Sequence, residues 1–83
     1  MKQPTEVTNL MLDRKEYSGN MLYGRLQGEG VVKNITDSTI FTGTFENNRK
    51  MGKGRLMHSA NIMEKGNWHY NKRHGLFKIK VRD

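Results

Sequence analysis

Cysteine is absent from these 83 residues, which excludes disulfides, zinc–thiolate sites and a thiol nucleophile. Proline occurs once, at Pro4, and Met1–Glu6 around it reads as a short flexible arm. That segment lacks the apolar core of a secretory signal, and no arginine-rich, acid-poor transit segment is visible. No apolar run approaches the ~18 residues that a membrane-spanning helix needs. Acidic residues are few: eight Asp and Glu stand against fifteen Lys and Arg, a net charge of +7. Such an excess favours acidic partners, whether nucleic acid, anionic lipid or an acidic protein segment. Hydrophobic residues make up 34% and glycine adds nine positions, a globular balance rather than a disordered one. The length allows one domain, which buries only about 60–65% of its unfolded surface.

Catalytic chemistry is sparse as well. Histidine appears only at positions 58, 69 and 74. No pair has metal-ligand spacing and no carboxylate is expected to join them, so no metal and no other cofactor is expected. Gly28-x-Gly30 and Gly52-x-Gly54 look like fragments of phosphate loops, but neither opens a helix. The carboxylates are scattered without an acid/base pair, and a single sheet offers no preformed pocket. The chain reads as non-enzymatic.

What the sequence does contain is glycine at regular intervals. Phe41-Thr42-Gly43-Thr44-Phe45 leads through the polar turn Asn47-Asn48-Arg49-Lys50 to Gly52-Lys53-Gly54-Arg55-Leu56. Alternation at period two marks one face of a strand, and two such runs around a turn mark a β-hairpin. Tyr17-x-Gly19-x-Met21 with Gly28-x-Gly30-x-Val32, and Glu64-x-Gly66-x-Trp68 with Gly75-x-Phe77-x-Ile79, repeat the pattern. Gly19, Gly43 and Gly66 are spaced by 24 and then 23 residues, as are Gly28, Gly52 and Gly75. Constant spacing at independent positions is the signature of an internal repeat.

These residues, with the turn Asn71-Lys72-Arg73-His74 before Gly75, resemble MORN repeats over roughly residues 7 to 81. Met21 stands where that family usually has tryptophan, Glu64 replaces the opening aromatic and Phe77 replaces a glycine. The resemblance implies a scaffold or assembly subunit, in the cytoplasm, on the cytoskeleton or in a cilium. It also implies a possible link to phospholipids.

The predicted fold is all-β: a single-layer, elongated antiparallel meander of β-hairpins. Repeats are expected at 17–39, 40–63 and 64–83, after a half repeat at 7–16. The predicted strands are Val7–Leu12, Glu16–Leu22, Gly28–Asn34, Ile40–Glu46, Gly52–His58, Glu64–Tyr70 and Gly75–Val81. The extra residue of the first full repeat falls at Asn34–Ser38 or just beyond. Leu10–Glu16 has room for one helical turn, but Tyr17-x-Gly19 cuts it short.

One face then carries Tyr17, Met21, Val32, Phe41, Phe45, Leu56 and Trp68, with Phe77, Ile79 and Val81 as an apolar end-cap. Gly19, Gly30, Gly43, Gly54 and Gly66 share that face and let the rings lie on bare backbone. The other face carries Lys33, Lys53, Arg55, Lys65, Lys78, Lys80 and Arg82, and the turns add Arg25, Arg49, Lys50, Lys72 and Arg73. A solvated face that discourages edge pairing would look the same.

Two binding modes follow. Rings packed only on glycine should stay partly exposed, and an exposed apolar patch marks an interface. Tyr17, Phe41, Phe45, Leu56 and Trp68 are the expected partner-binding residues, for instance for a helical segment of a larger complex. Alternatively Lys33, Lys53, Arg55, Lys78 and Lys80 dock on anionic phospholipid. Nucleic acid is disfavoured, because rings and cations fall on opposite faces rather than interleaving.

Overall fold

The structure, a computed structural model, describes residues 5–82. Seven strands, β1 (Thr5–Leu12), β2 (Lys15–Leu22), β3 (Arg25–Asn34), β4 (Thr39–Glu46), β5 (Arg49–Ser59), β6 (Ile62–His69) and β7 (Lys72–Val81), follow in chain order. They form one antiparallel sheet in the order β1-β2-β3-β4-β5-β6-β7. Its extents of 46 × 26 × 16 Å are those of one elongated layer. Among the described residues no helix is long and apolar enough to cross a membrane. The arm expected at Met1–Glu6 is shorter than read: Thr5 and Glu6 already pair with Met21 and Asn20, and Met1–Pro4 lie outside the described residues.

The hairpins close more tightly than the sequence suggested. Asn47-Asn48 and Tyr70-Asn71 are two-residue turns with both φ angles between 49° and 69°, the left-handed pair that matches strand twist. Strands β3, β5 and β7 therefore start at Arg25, Arg49 and Lys72 rather than at the following glycines. Gly28, Gly52 and Gly75 sit inside strands at φ 86°, 79° and 77°. Around Gly52 the register steps: β4 passes from Gly43 to Phe45 while β5 passes from Gly54 to Lys50. Lys50 consequently faces Phe45, and Arg73 faces Trp68. Both belong to the ring face, not to a turn as expected. The looser connection does fall at Asn34–Ser38, between β3 and β4.

The second asparagine of each tight turn locks onto the preceding repeat. Asn48 Oδ1 accepts the Leu26 N–H at 2.7 Å and the Asn48 N–H donates to the Leu26 carbonyl at 3.1 Å. Asn71 does the same to Lys50, at 2.8 and 3.1 Å. Backbone that the ladder leaves open is thereby paired.

The core is a file of rings. Phe45, Phe41, Trp68 and Phe77 meet edge to face, with centroids 5.4, 4.9 and 4.6 Å apart in succession. Each such contact contributes about 0.5–1.5 kcal/mol beyond burial. Phe41 lies over Gly43 and Gly54, Phe77 over Gly66, and Phe45 beside Gly30. Phe41, Phe45 and Trp68 form the core with Leu26 and Val32, and Tyr17, Met21, Leu56 and Phe77 pack against it. The expected partial exposure of the rings is not found: Phe41, Phe45 and Trp68 are only 1%, 3% and 4% exposed. They pack edge to face on one another, and the Lys50 ammonium lies over Phe41. The expected end-cap is split. Phe77 is half-buried, whereas Ile79 and Val81 are 65% and 64% exposed.

In each repeat the opening residue and the one nine positions later belong to the ring face: Tyr17 and Leu26, Phe41 and Lys50, Glu64 and Arg73. The chemistry changes along the series. Tyr17 and Leu26 belong to the apolar cluster. The Lys50 ammonium sits 4.9 Å from the Phe41 ring centroid, and Arg73 holds Glu64 through two hydrogen bonds of 2.8 and 2.7 Å.

Candidate functional site

The basic face is a cross-strand ladder. Arg55 stands opposite Lys65, and Lys65 opposite Lys78. With Lys53 they line a shallow groove of about 650 Å³ that also includes Glu29, Thr44, Asn67 and Leu76. All four cations are exposed, and Leu76 stands in their midst at 96% exposure. Like charges directly opposite on adjacent strands repel. Among the described residues the only ion pairs involve Glu64, so none relieves this ladder. Glu29, at the far side, accepts a 3.3 Å hydrogen bond from Thr44. Lys33 and Lys80 belong to a neighbouring row that runs from Glu16 through Lys33, Ile40, Met57 and Met63 to Lys80, so Lys33 stands opposite a carboxylate residue. They belong to the same face but not to the groove. Sequence reasoning thus found Lys53, Arg55 and Lys78 and omitted Lys65 from the site, although it placed Lys65 on the face.

The ring face holds a smaller cleft of about 280 Å³ between β2 and β5. Four of the five residues expected to bind a partner line it, namely Tyr17, Phe41, Phe45 and Leu56. Tyr17 and Leu56 are half-buried and present the accessible side-chain surface, while Phe41 and Phe45 form the floor. Trp68 lies beyond the cleft in the core. Sequence reasoning missed its polar rim of Lys15, Asn34, Asn48, Lys50 and Asn71. Burial pushes the Lys50 ammonium below its ordinary range, and the charges of Lys15 and Arg73 add to this.

Glu64 is the third feature, and it corrects the expectation that no carboxylate meets a histidine. Buried on the ring face, it accepts from Arg73 Nε and Nη2 and pairs with His58 Nε2. The Arg73 and then the His58 hydrogen bonds hold its carboxyl down from 4.5 to about 2. The signal was available: a carboxylate occupied a ring position, nine residues before an arginine. A fully engaged carboxylate is a structural lock rather than an acid or base poised near neutrality. Among the described residues no group of three His, Cys, Asp or Glu side chains could hold a metal ion.

The MORN-repeat family model matches residues 17–33, 41–58 and 65–76, more than half of the chain. The chain belongs to the MORN-repeat family. A comparison with curated proteins gives no match. The three matched segments coincide with the β2–β3, β4–β5 and β6–β7 hairpins. MORN repeats are non-enzymatic modules generally associated with protein or membrane-lipid interaction. Both strands of each MORN hairpin contribute alternate residues to the ring face and to the opposite face.

Proposed function

We propose that this MORN module is non-catalytic and docks through its basic face on an anionic membrane surface. The observation that carries the reading is the Arg55–Lys65–Lys78 ladder, three exposed cations on adjacent strands with no carboxylate partner among the described residues. A planar array of phosphates relieves their repulsion, at about 1 kcal/mol per cation near an anionic bilayer. Leu76, fully exposed among them, supplies an apolar side chain to the acyl boundary. The test is sedimentation with phosphatidylcholine vesicles with and without phosphatidylserine. Binding should require the anionic lipid, fall steeply between about 0.05 and 0.2 M salt, and disappear in Lys65→Glu/Lys78→Glu. Salt-tolerant binding, or binding to neutral vesicles, overturns it.

A second reading has its own observation, the ring-face cleft at Tyr17 and Leu56. There the module receives a protein segment as a subunit of a larger assembly, cytoskeletal or ciliary by family association. Leu56→Asp should then abolish capture of that partner while leaving vesicle binding intact. Equal loss in Lys65→Glu/Lys78→Glu would return the contact to the basic face.

A further inference from the structure

We propose that the ring-face cleft is a carboxylate site, which takes an apolar side chain together with the free carboxylate of a peptide C-terminus. The proposal deepens the ring-face reading by naming the group bound, and is independent of docking through the basic face.

Lys50 is the centre of the site. It projects over the Phe41 ring, 4.9 Å from its centroid, and is half-buried. Among the described residues it forms no ion pair, and Lys15 on the same rim is close enough for its charge to act on Lys50. Asp37 is the carboxylate whose field reaches Lys50. Its carboxylate is already occupied by the Thr39 N–H and hydroxyl at 3.0 and 2.7 Å. A half-buried ammonium beside a second cation, reached only by the field of a carboxylate already engaged elsewhere, is an incompletely satisfied charge.

Neutral donors converge on the same rim. Asn48 and Asn71 use Oδ1 to clamp the preceding repeat. That fixes each side-chain amide with its NH₂ group as the outer end, and neither NH₂ makes a hydrogen bond among the described residues. Both asparagines line the cleft. Two oriented amides and two ammonium groups over an apolar floor demand a ligand with one anionic end and one apolar end. A cleft of about 280 Å³ admits one side chain with its carboxylate, not a drug-sized molecule. A carboxylate suits point-charge ammonium donors with flanking amides.

The probe is N-acetyl-L-leucine, titrated into the ¹⁵N-labelled chain and followed by amide chemical shifts, with N-acetyl-L-leucinamide as the uncharged control. Saturable shifts are expected at Lys50 and at the Asn48 and Asn71 side-chain amides, and the leucinamide should give none. Lys50→Met keeps the stem over Phe41 and should weaken binding about tenfold or more, the loss of one charged hydrogen bond. Lys15→Met should weaken it less. Each variant is scored only with a native-like spectrum, and Met11→Gln, at an exposed position of the edge strand β1 outside both grooves, serves as the neutral control. A leucine-ending peptide with a free C-terminus should compete, whereas the same peptide amidated but carrying an internal glutamate should not. Equal binding of the leucinamide, shifts centred on Arg55–Lys65–Lys78, or undiminished binding in both Lys50→Met and Lys15→Met would overturn the site. Competition by the internal glutamate would overturn its assignment to a C-terminus.

Discussion

Phe41 lies across Gly54 so closely that a Cβ built on the glycine would stand 2.5 Å from Phe41 Cζ. Gly43 is equally tight, at 2.8 Å from that atom and from Gly54 Cα. Gly54→Val and Gly43→Val must therefore displace the most buried ring of the sheet, an overpacking cost of about 1–3 kcal/mol or more. Thr44 is on the other face, so Thr44→Val should be near neutral. Thermal melting of the three variants checks this, and equal midpoints would contradict the ring-on-glycine packing.

Glu64 makes stability depend on acid. Its folded-state carboxyl lies near 2 rather than 4.5, so the unfolded chain binds the proton more readily. The lock is therefore complete above the unfolded value and is lost as pH falls through the folded one. Arg73 is half-exposed, so screening by water limits its contribution to about 1 kcal/mol. Glu64→Gln should melt several degrees lower near neutrality, with the gap to the parent closing as pH approaches about 2. A constant gap would assign the effect to packing instead.

The asparagine clamps separate two neighbouring turn positions. Asn47 and Asn48 both have positive φ, so glycine suits either. Only Asn48 ties its side chain to another repeat, at Leu26. Asn48→Gly should cost about 1 kcal/mol, while Asn47→Gly should be neutral or slightly stabilising. Urea denaturation distinguishes them.

Lys50 occupies the place that leucine holds in the first repeat, where Leu26 is 4% exposed. Its half-buried charge opposes burial, so Lys50→Leu should stabilise the fold by ~0.5 kcal/mol or more. A loss of stability would show that the Phe41 contact outweighs desolvation.

Much of this fold is legible from glycine spacing. The period places every hairpin and assigns the rings and the strand cations to opposite faces, because strand alternation leaves no other choice. Two things stay hidden. One is the step at Gly52 and Gly75: a two-residue turn followed by a positive-φ glycine brings Lys50 and Arg73 onto the ring side, and composition alone assigns them to the turn. The other is ring burial, which arises from edge-to-face packing between repeats. A face assignment says which residues share a side, not whether they cover each other.

The meander order also bears on how the sheet forms. Every strand pairs with the strand before it in the chain, so every pairing closes a short loop, and low contact order favours fast folding for an all-β chain. Loss of structure should then run inward from β1 and β7, as fraying of a zipper does. Hydrogen exchange should be slowest in β3 and β4, where Leu26, Phe41 and Phe45 are buried, and each outer hairpin should open at less than the global free energy. The sheet is in this sense a filament three repeats long, whose grip on any ligand weakens from its centre to its ends.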